Sequence, residues 1–169
     1  AQENPVIEQF VTATPVSRLF RHLAASAAAG GLGFRRAQSG TRPLSAGVIR
    51  QWGGEGDFSL RAHEDWSQLG HPAQAQLEFS AVAPTVAGVN LCLRNDDAEG
   101  NAGAIMLWNR RVEVKEGHAV GERRPWSGYP FEPDDLRDAA MAKIPIRAGD
   151  LYCVNGRYVH AVASGPVLG

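Results

Sequence analysis

The sequence predicts a mainly β fold, a sandwich or barrel with helices on its N-terminal side. Two observations lead there. From Leu44 onward, short β-rich runs alternate with clusters of Gly, Pro, Asn and Asp, which is how packed antiparallel sheets punctuate a chain. Before that point the apolar spacing is helical, with Val16, Leu19, Phe20 and Leu23 falling on one face at i, i+3, i+4 and i+7. At 169 residues with an apolar fraction of 44%, a single domain spanning 1–169 with a real hydrophobic core is expected.

In order along the chain, Asn4-Pro5 and Thr14-Pro15 each offer an N-cap followed by Pro at the first helical position. The Ala-rich run 24–29 extends the second helix, and Gly30-Gly31 ends it by admitting the left-handed conformation. Strands are expected at 47–52, 59–63, 76–83, 86–93, 104–108, 111–115, 143–146, 151–155 and 159–163. A helix interrupts them at Glu132-Pro133-Asp134-Asp135, where Pro and first-turn acids favour initiation. It is expected to run to about Ala142. The acids Asp96, Asp97 and Glu99 mark a solvated hairpin tip.

The formal net charge of −1 suggests no nucleic-acid partner. The longest uncharged apolar stretch, 23–32, is too short and Gly-rich to cross a bilayer. No basic segment precedes an apolar one in the manner of a signal peptide. Cys92 and Cys153, both inside apolar runs, are expected to be buried thiols rather than a disulfide. A reducing, cytoplasmic location follows as the default.

The residues that carry chemistry are His63 and Asp65, in Leu60-Arg61-Ala62-His63-Glu64-Asp65-Trp66, and His160, in Gly149-Asp150-Leu151 through Arg157-Tyr158-Val159-His160. In a strand, positions i and i+2 share a face, so His63 and Asp65 stand side by side while Glu64 points away. With His160 they make two imidazoles and one carboxylate, the set that suits non-haem iron(II) with positions left open. On its own, either histidine reads more readily as a hydrogen-bonded core residue. His71 is a competing ligand for a zinc site. His22 reads as a surface or packing residue and His118 as an exposed loop residue.

These segments resemble the iron(II)/2-oxoglutarate-dependent oxygenases, which carry His-X-Asp, a long interval, a Gly-Asp-Leu strand and a distal His. The interval here is 97 residues. The runs 89–93 and 102–109 look like the hairpin that this family places between its two metal segments. In layout the chain is most similar to bacterial natural-product hydroxylases and halogenases. The resemblance implies a double-stranded β-helix, or jelly roll, with flanking N-terminal helices. It implies Fe(II) held by His63, Asp65 and His160, with 2-oxoglutarate and O2 as cosubstrates and a small molecule as substrate. Asn90, Trp52 and Arg50 are the residues placed to contact 2-oxoglutarate; Arg50 is chosen because a guanidinium grips a carboxylate bidentately. The related halogenases lack the carboxylate that Asp65 supplies, so the resemblance points to hydroxylation of an unactivated C–H bond. It also places the main cosubstrate-binding Arg at or just past Gly169, as expected of a chain truncated at its C-terminus. Trp126, in a long irregular segment, is a possible lid over substrate. Two other readings stand beside this one: a non-catalytic jelly-roll binding domain, and a jelly-roll metalloenzyme that does not use 2-oxoglutarate.

Overall fold

A computed structural model describes residues 15–44, 47–51, 56–66, 86–112 and 131–165. Trp52, His71, His118, Trp126, the expected strand 76–83 and the helix start at Asn4-Pro5 lie outside the described residues. The chain divides into two compact units, Ala1–Ile49 and Arg50–Gly169.

In the first unit, helix α1 (Pro15–Ala29) starts at the predicted proline. Its end is a Schellman cap: Leu32 N–H donates to Ala27 O at 2.8 Å and Gly31 N–H to Ala28 O at 3.0 Å. Gly31 takes φ 72°, the left-handed geometry that glycine adopts without a Cβ penalty. Two short strands follow, β1 (Gln38–Ser39) and β2 (Arg42–Pro43), paired across a turn at Gly40. Strands of two residues are too short to show alternation, so this hairpin has no sequence signature.

The second unit is mainly β, as predicted. It contains β3 (Phe58–His63), β4 (Ala87–Leu91), β5 (Ile105–Arg111), a short helix α2 (Pro133–Leu136), β6 (Met141–Ile144), β7 (Leu151–Asn155) and β8 (Tyr158–Ala163). Strands β3-β8-β5-β6 form one antiparallel sheet and β4-β7 another. Ile105, Ile146 and Val162 pack with Leu60, Cys92 and Tyr152, a layer joining the inner face of the larger sheet to β7. The opposite face of that sheet buries Ala62, Trp108, Val159 and Ala161 under Leu136 and Phe131. Both faces are therefore covered, and alternation along β8 assigns Val162 to one layer and Ala161 to the other.

Several expectations are corrected. Residues 47–51 are irregular rather than strand. The helix predicted from Glu132 to about Ala142 is one turn long. Asp135 Oδ2 accepts the Glu132 N–H at 2.9 Å, as the start signal implied. The chain is then captured by β5: Asn109 N–H takes Ala140 O at 2.8 Å, and Met141 to Ile144 pair with Trp108 to Ile105. The sheet edge satisfies a row of backbone groups, and this overrides the local helix preference. Cys153 is exposed, not buried, because it alternates with Tyr152 and Val154 and so points out of the layer.

The hairpin expected from 89–93 and 102–109 does not form: β4 pairs with β7 and β5 with β6 and β8, so Asp96, Asp97 and Glu99 lie on a connection between the two sheets. That acidic connection is only partly solvated. The Asp97 carboxylate turns inward and accepts Ala102 N–H at 2.8 Å and Glu99 N–H at 2.9 Å. Asn95 Nδ2 donates to Ala102 O and Ile146 O, at 2.7 and 2.6 Å. Gly100 is held here with φ 74°, and a Cβ on it would sit 2.6 Å from Ile146 O. Gly100→Ala combines a left-handed non-glycine residue with a backbone clash. It is expected to lower unfolding stability by about 2–4 kcal/mol, measured by denaturant titration.

Candidate metal centre

The site grows from an irregularity in one strand pairing. Leu60 faces Val162, but His63 faces His160, with a register shift between. Two residues of β8 thus span three of β3. Strict alternation from Leu60 would turn Ala62 inward and His63 outward. The bulge reverses this: Ala62 joins the outer layer, and His63 comes to the face of His160, their ring centroids 4.4 Å apart. Leu107, on β5, pairs with His160 from the other side.

His63 is the last residue of β3, so Asp65 does not share a strand with it as the sequence suggested; it sits in the bend that follows. The bend is tied to the corner between β7 and β8. Asp65 N–H donates to Gly156 O at 2.8 Å, and Gly156 N–H donates to Val86 O at 2.7 Å. This brings the carboxylate between the rings: Oδ1 lies 3.5 Å from His63 Nε2 and Oδ2 3.5 Å from His160 Nε2. One donor atom from each of His63, Asp65 and His160 lies within 4.8 Å of the others. Atoms bound about 2.0–2.2 Å from one ion stand roughly 3–3.5 Å apart, so the three side chains fit a shared cation with small adjustment.

The tautomers follow from the backbone. His63 Nδ1 lies 2.7 Å from Arg61 O and His160 Nδ1 2.9 Å from Tyr158 O. A carbonyl only accepts, so each Nδ1 carries the proton and each Nε2 presents its lone pair. Three acceptor atoms then converge on one point. Both rings are buried, while 28% of the Asp65 side chain is exposed, so the centre opens to solvent on the carboxylate side. Burial, reinforced by the nearby His63, holds His160 below the ordinary histidine pKa against the opposing pull of the Tyr158 carbonyl and Asp65. Burial pushes Asp65 up, but His63, His160 and Arg50 together outweigh it and leave the carboxyl below its ordinary value.

The other expected contacts are placed unevenly. Arg50 is exposed in an irregular stretch, close enough for its charge to act on Asp65. Asn90, on β4, points to the same side as Gly88. A Cβ on Gly88 would lie 3.6 Å from Asn90 Nδ2 and 3.8 Å from Asp65 Oδ2, so the missing side chain leaves a gap between the two. Glu64 is fully buried, a placement its alternation away from the site did not foretell. Beside the centre, a cavity of about 270 Å³ is lined by Ile105, Leu107, Ile144, Tyr152, Val154 and Tyr158, among others. Gly156 stands in the turn between β7 and β8. Its closeness to Asp65 depends on a contact between distant segments that no local motif encodes.

Among known proteins, the chain is 31% identical over 117 residues to an L-isoleucine 3(1)-dioxygenase of Pantoea ananatis. The match takes in 69% of this chain, and the chain spans 38% of the relative's length. No protein-family model matches the chain, and no solved structure matches it significantly.

A Cβ on Gly156 would lie 2.9 Å from Asp65 Cβ and 3.1 Å from Val86 O. Gly156→Ala is therefore expected to displace the carboxylate and weaken divalent-metal binding by roughly 10-fold or more, read by metal titration. The pKa directions set the acid response of the metal-free protein. His160 resists protonation when folded, so below about pH 6.5 the unfolded chain takes up the proton first. Stability falls from there toward the lower folded pKa. A second loss begins near pH 3.8 and continues as Asp65 protonates below it. Melting curves across pH should show both steps, and His160→Gln should remove the upper one.

Proposed function

We propose that this protein is a non-haem iron(II)- and 2-oxoglutarate-dependent oxygenase that hydroxylates an unactivated C–H bond of a small molecule. The convergence of two Nε2 lone pairs and a carboxylate carries the reading. The three donor atoms lie close enough to share one cation, burial disfavours a proton on His160, and a metal ion suits the same donor set. Two imidazoles and one carboxylate, open on one side, suit iron(II) with positions left for cosubstrate and O2. The likeness to a protein named as a dioxygenase supports oxygenase chemistry. That relative's substrate, L-isoleucine, makes an aliphatic amino acid the first substrate class to try.

The two facing sheets, with the chain passing between them from β3 to β4 and again from β7 to β8, support a jelly roll. The reading of residues 1–169 as one such domain belongs to the same proposal. Iron with 2-oxoglutarate would supply the oxidising power for C–H cleavage, the cosubstrate being decarboxylated. The chain's own part is binding and orientation. His63 and His160 present fixed Nε2 atoms, and Asp65 adds the anionic ligand on the open side. Asn90, at the Gly88 gap, offers an amide to the cosubstrate, and Arg50 brings positive charge to the same approach. The apolar cavity walls offer a surface for an aliphatic substrate. Among the described residues no helix is long and apolar enough to cross a membrane. A cytoplasmic enzyme with neither nucleic-acid nor membrane partners completes the proposal.

The test is to load metal-stripped protein with iron(II) and follow 2-oxoglutarate consumption with a panel of aliphatic L-amino acids. Substrate-stimulated decarboxylation is expected, and Asp65→Gly should abolish hydroxylation while leaving the circular-dichroism spectrum unchanged. Metal binding without 2-oxoglutarate turnover would favour a different metalloenzyme. Absence of metal binding would favour a binding domain.

A further inference from the structure

The bend that carries Asp65 lies beyond the end of β3, where the β ladder no longer holds the chain. Its backbone is tied to the corner between β7 and β8 by the Asp65 N–H to Gly156 O hydrogen bond. A second contact lies one residue along on both partners. The Arg157 guanidinium carbon stands over the Trp66 ring, 5.1 Å from its centroid. Arg157 is itself anchored. Its N–H donates to Asn155 Oδ1 at 3.0 Å, its carbonyl accepts Val112 N–H at 2.8 Å, and its Nη2 donates to Val112 O at 3.2 Å. The guanidinium is thus fixed against the end of β5 before it meets the indole.

We propose that Trp66 and Arg157 form a latch which, with the Gly156–Asp65 hydrogen bond, fixes the orientation of the Asp65 carboxylate toward the two histidines. Two adjacent residues of the bend meet two adjacent residues of the corner, so the ring contact adds a second tie between the same two segments. A planar guanidinium lying on an indole face is a directional contact. The corner that leads into His160 then also sets Asp65, so two of the three donor side chains share one support. Trp66 and Arg157 act through Asp65 and are positioning residues. The inference rests on the metal-centre reading above.

Cobalt(II) serves as the probe, titrated into metal-stripped protein, with the affinity and the visible ligand-field spectrum as readouts and the melting temperature of the metal-free protein in parallel. The wild type is expected to bind one cobalt ion. Arg157→Met and Trp66→Leu should each weaken binding roughly 10-fold and alter the spectrum. The double variant should be little weaker than either single one, because both remove the same contact. Arg157→Lys and Trp66→Phe, which keep a cation and a ring, should restore most of the affinity. These two variants also decide the question where a larger change prevents folding. Wild-type affinity and spectrum in the variants, or a double variant whose loss is the product of the single losses, would overturn the latch while leaving the metal reading intact. No cobalt binding by the wild type would overturn the metal reading and the latch with it.

Discussion

The pairing of β3 with β8 is the constraint on which the rest of the site depends. With the bulge between Leu60 and His63, the two strands bring His63 opposite His160. Without it, Ala62 would take that place and the imidazole would turn into the opposite layer. The same irregularity leaves Leu60 in the inner layer and Ala62 in the outer one. One extra residue in a strand therefore serves both core packing and the assembly of the donor set. Histidines on paired strands are also held more rigidly than histidines on loops, since each backbone is fixed by its neighbours.

The carboxylate is positioned by different means. Asp65 leaves the ladder and is caught by the corner at Gly156, where the chain passes from the smaller sheet to the larger one. That corner has to be small, because Asp65 and Val86 both approach the place a side chain would take. Two imidazoles and a carboxylate face each other in a largely buried setting, where burial disfavours a charge on His160. The packed strands around them hold the geometry in place. A cation bound among them would couple its own affinity to folding stability.

Much of the second unit was legible because its signals are local. The 151–155 strand has its predicted limits and β8 begins one residue before its own, both bounded by glycine-containing turns. Helix α1 ends where Gly30-Gly31 said it should. Where sequence reasoning failed, a long-range partner decided. Residues 137–142 carry a plausible helix continuation, but the open edge of β5 offered hydrogen bonds that a helix end could not match. Cys153 sits in an apolar run, yet the second face of its strand stays exposed, and no periodicity reveals which face a neighbouring layer will cover.

The donor set divides in the same way. His63, Asp65 and His160 could be named from residue type and spacing, since few residue types bind a first-row metal and a His-X-Asp pair keeps two of them close in any extended chain. That they converge, with both imidazoles turned to present Nε2, was decided by tertiary structure. It required a bulge in one pairing, a glycine at a corner some 90 residues away, and carbonyls at Arg61 and Tyr158 to take the Nδ1 protons. Chemistry is written in single side chains and can be read locally. Orientation is set by contacts between segments far apart in the chain, and these exist only once it has folded.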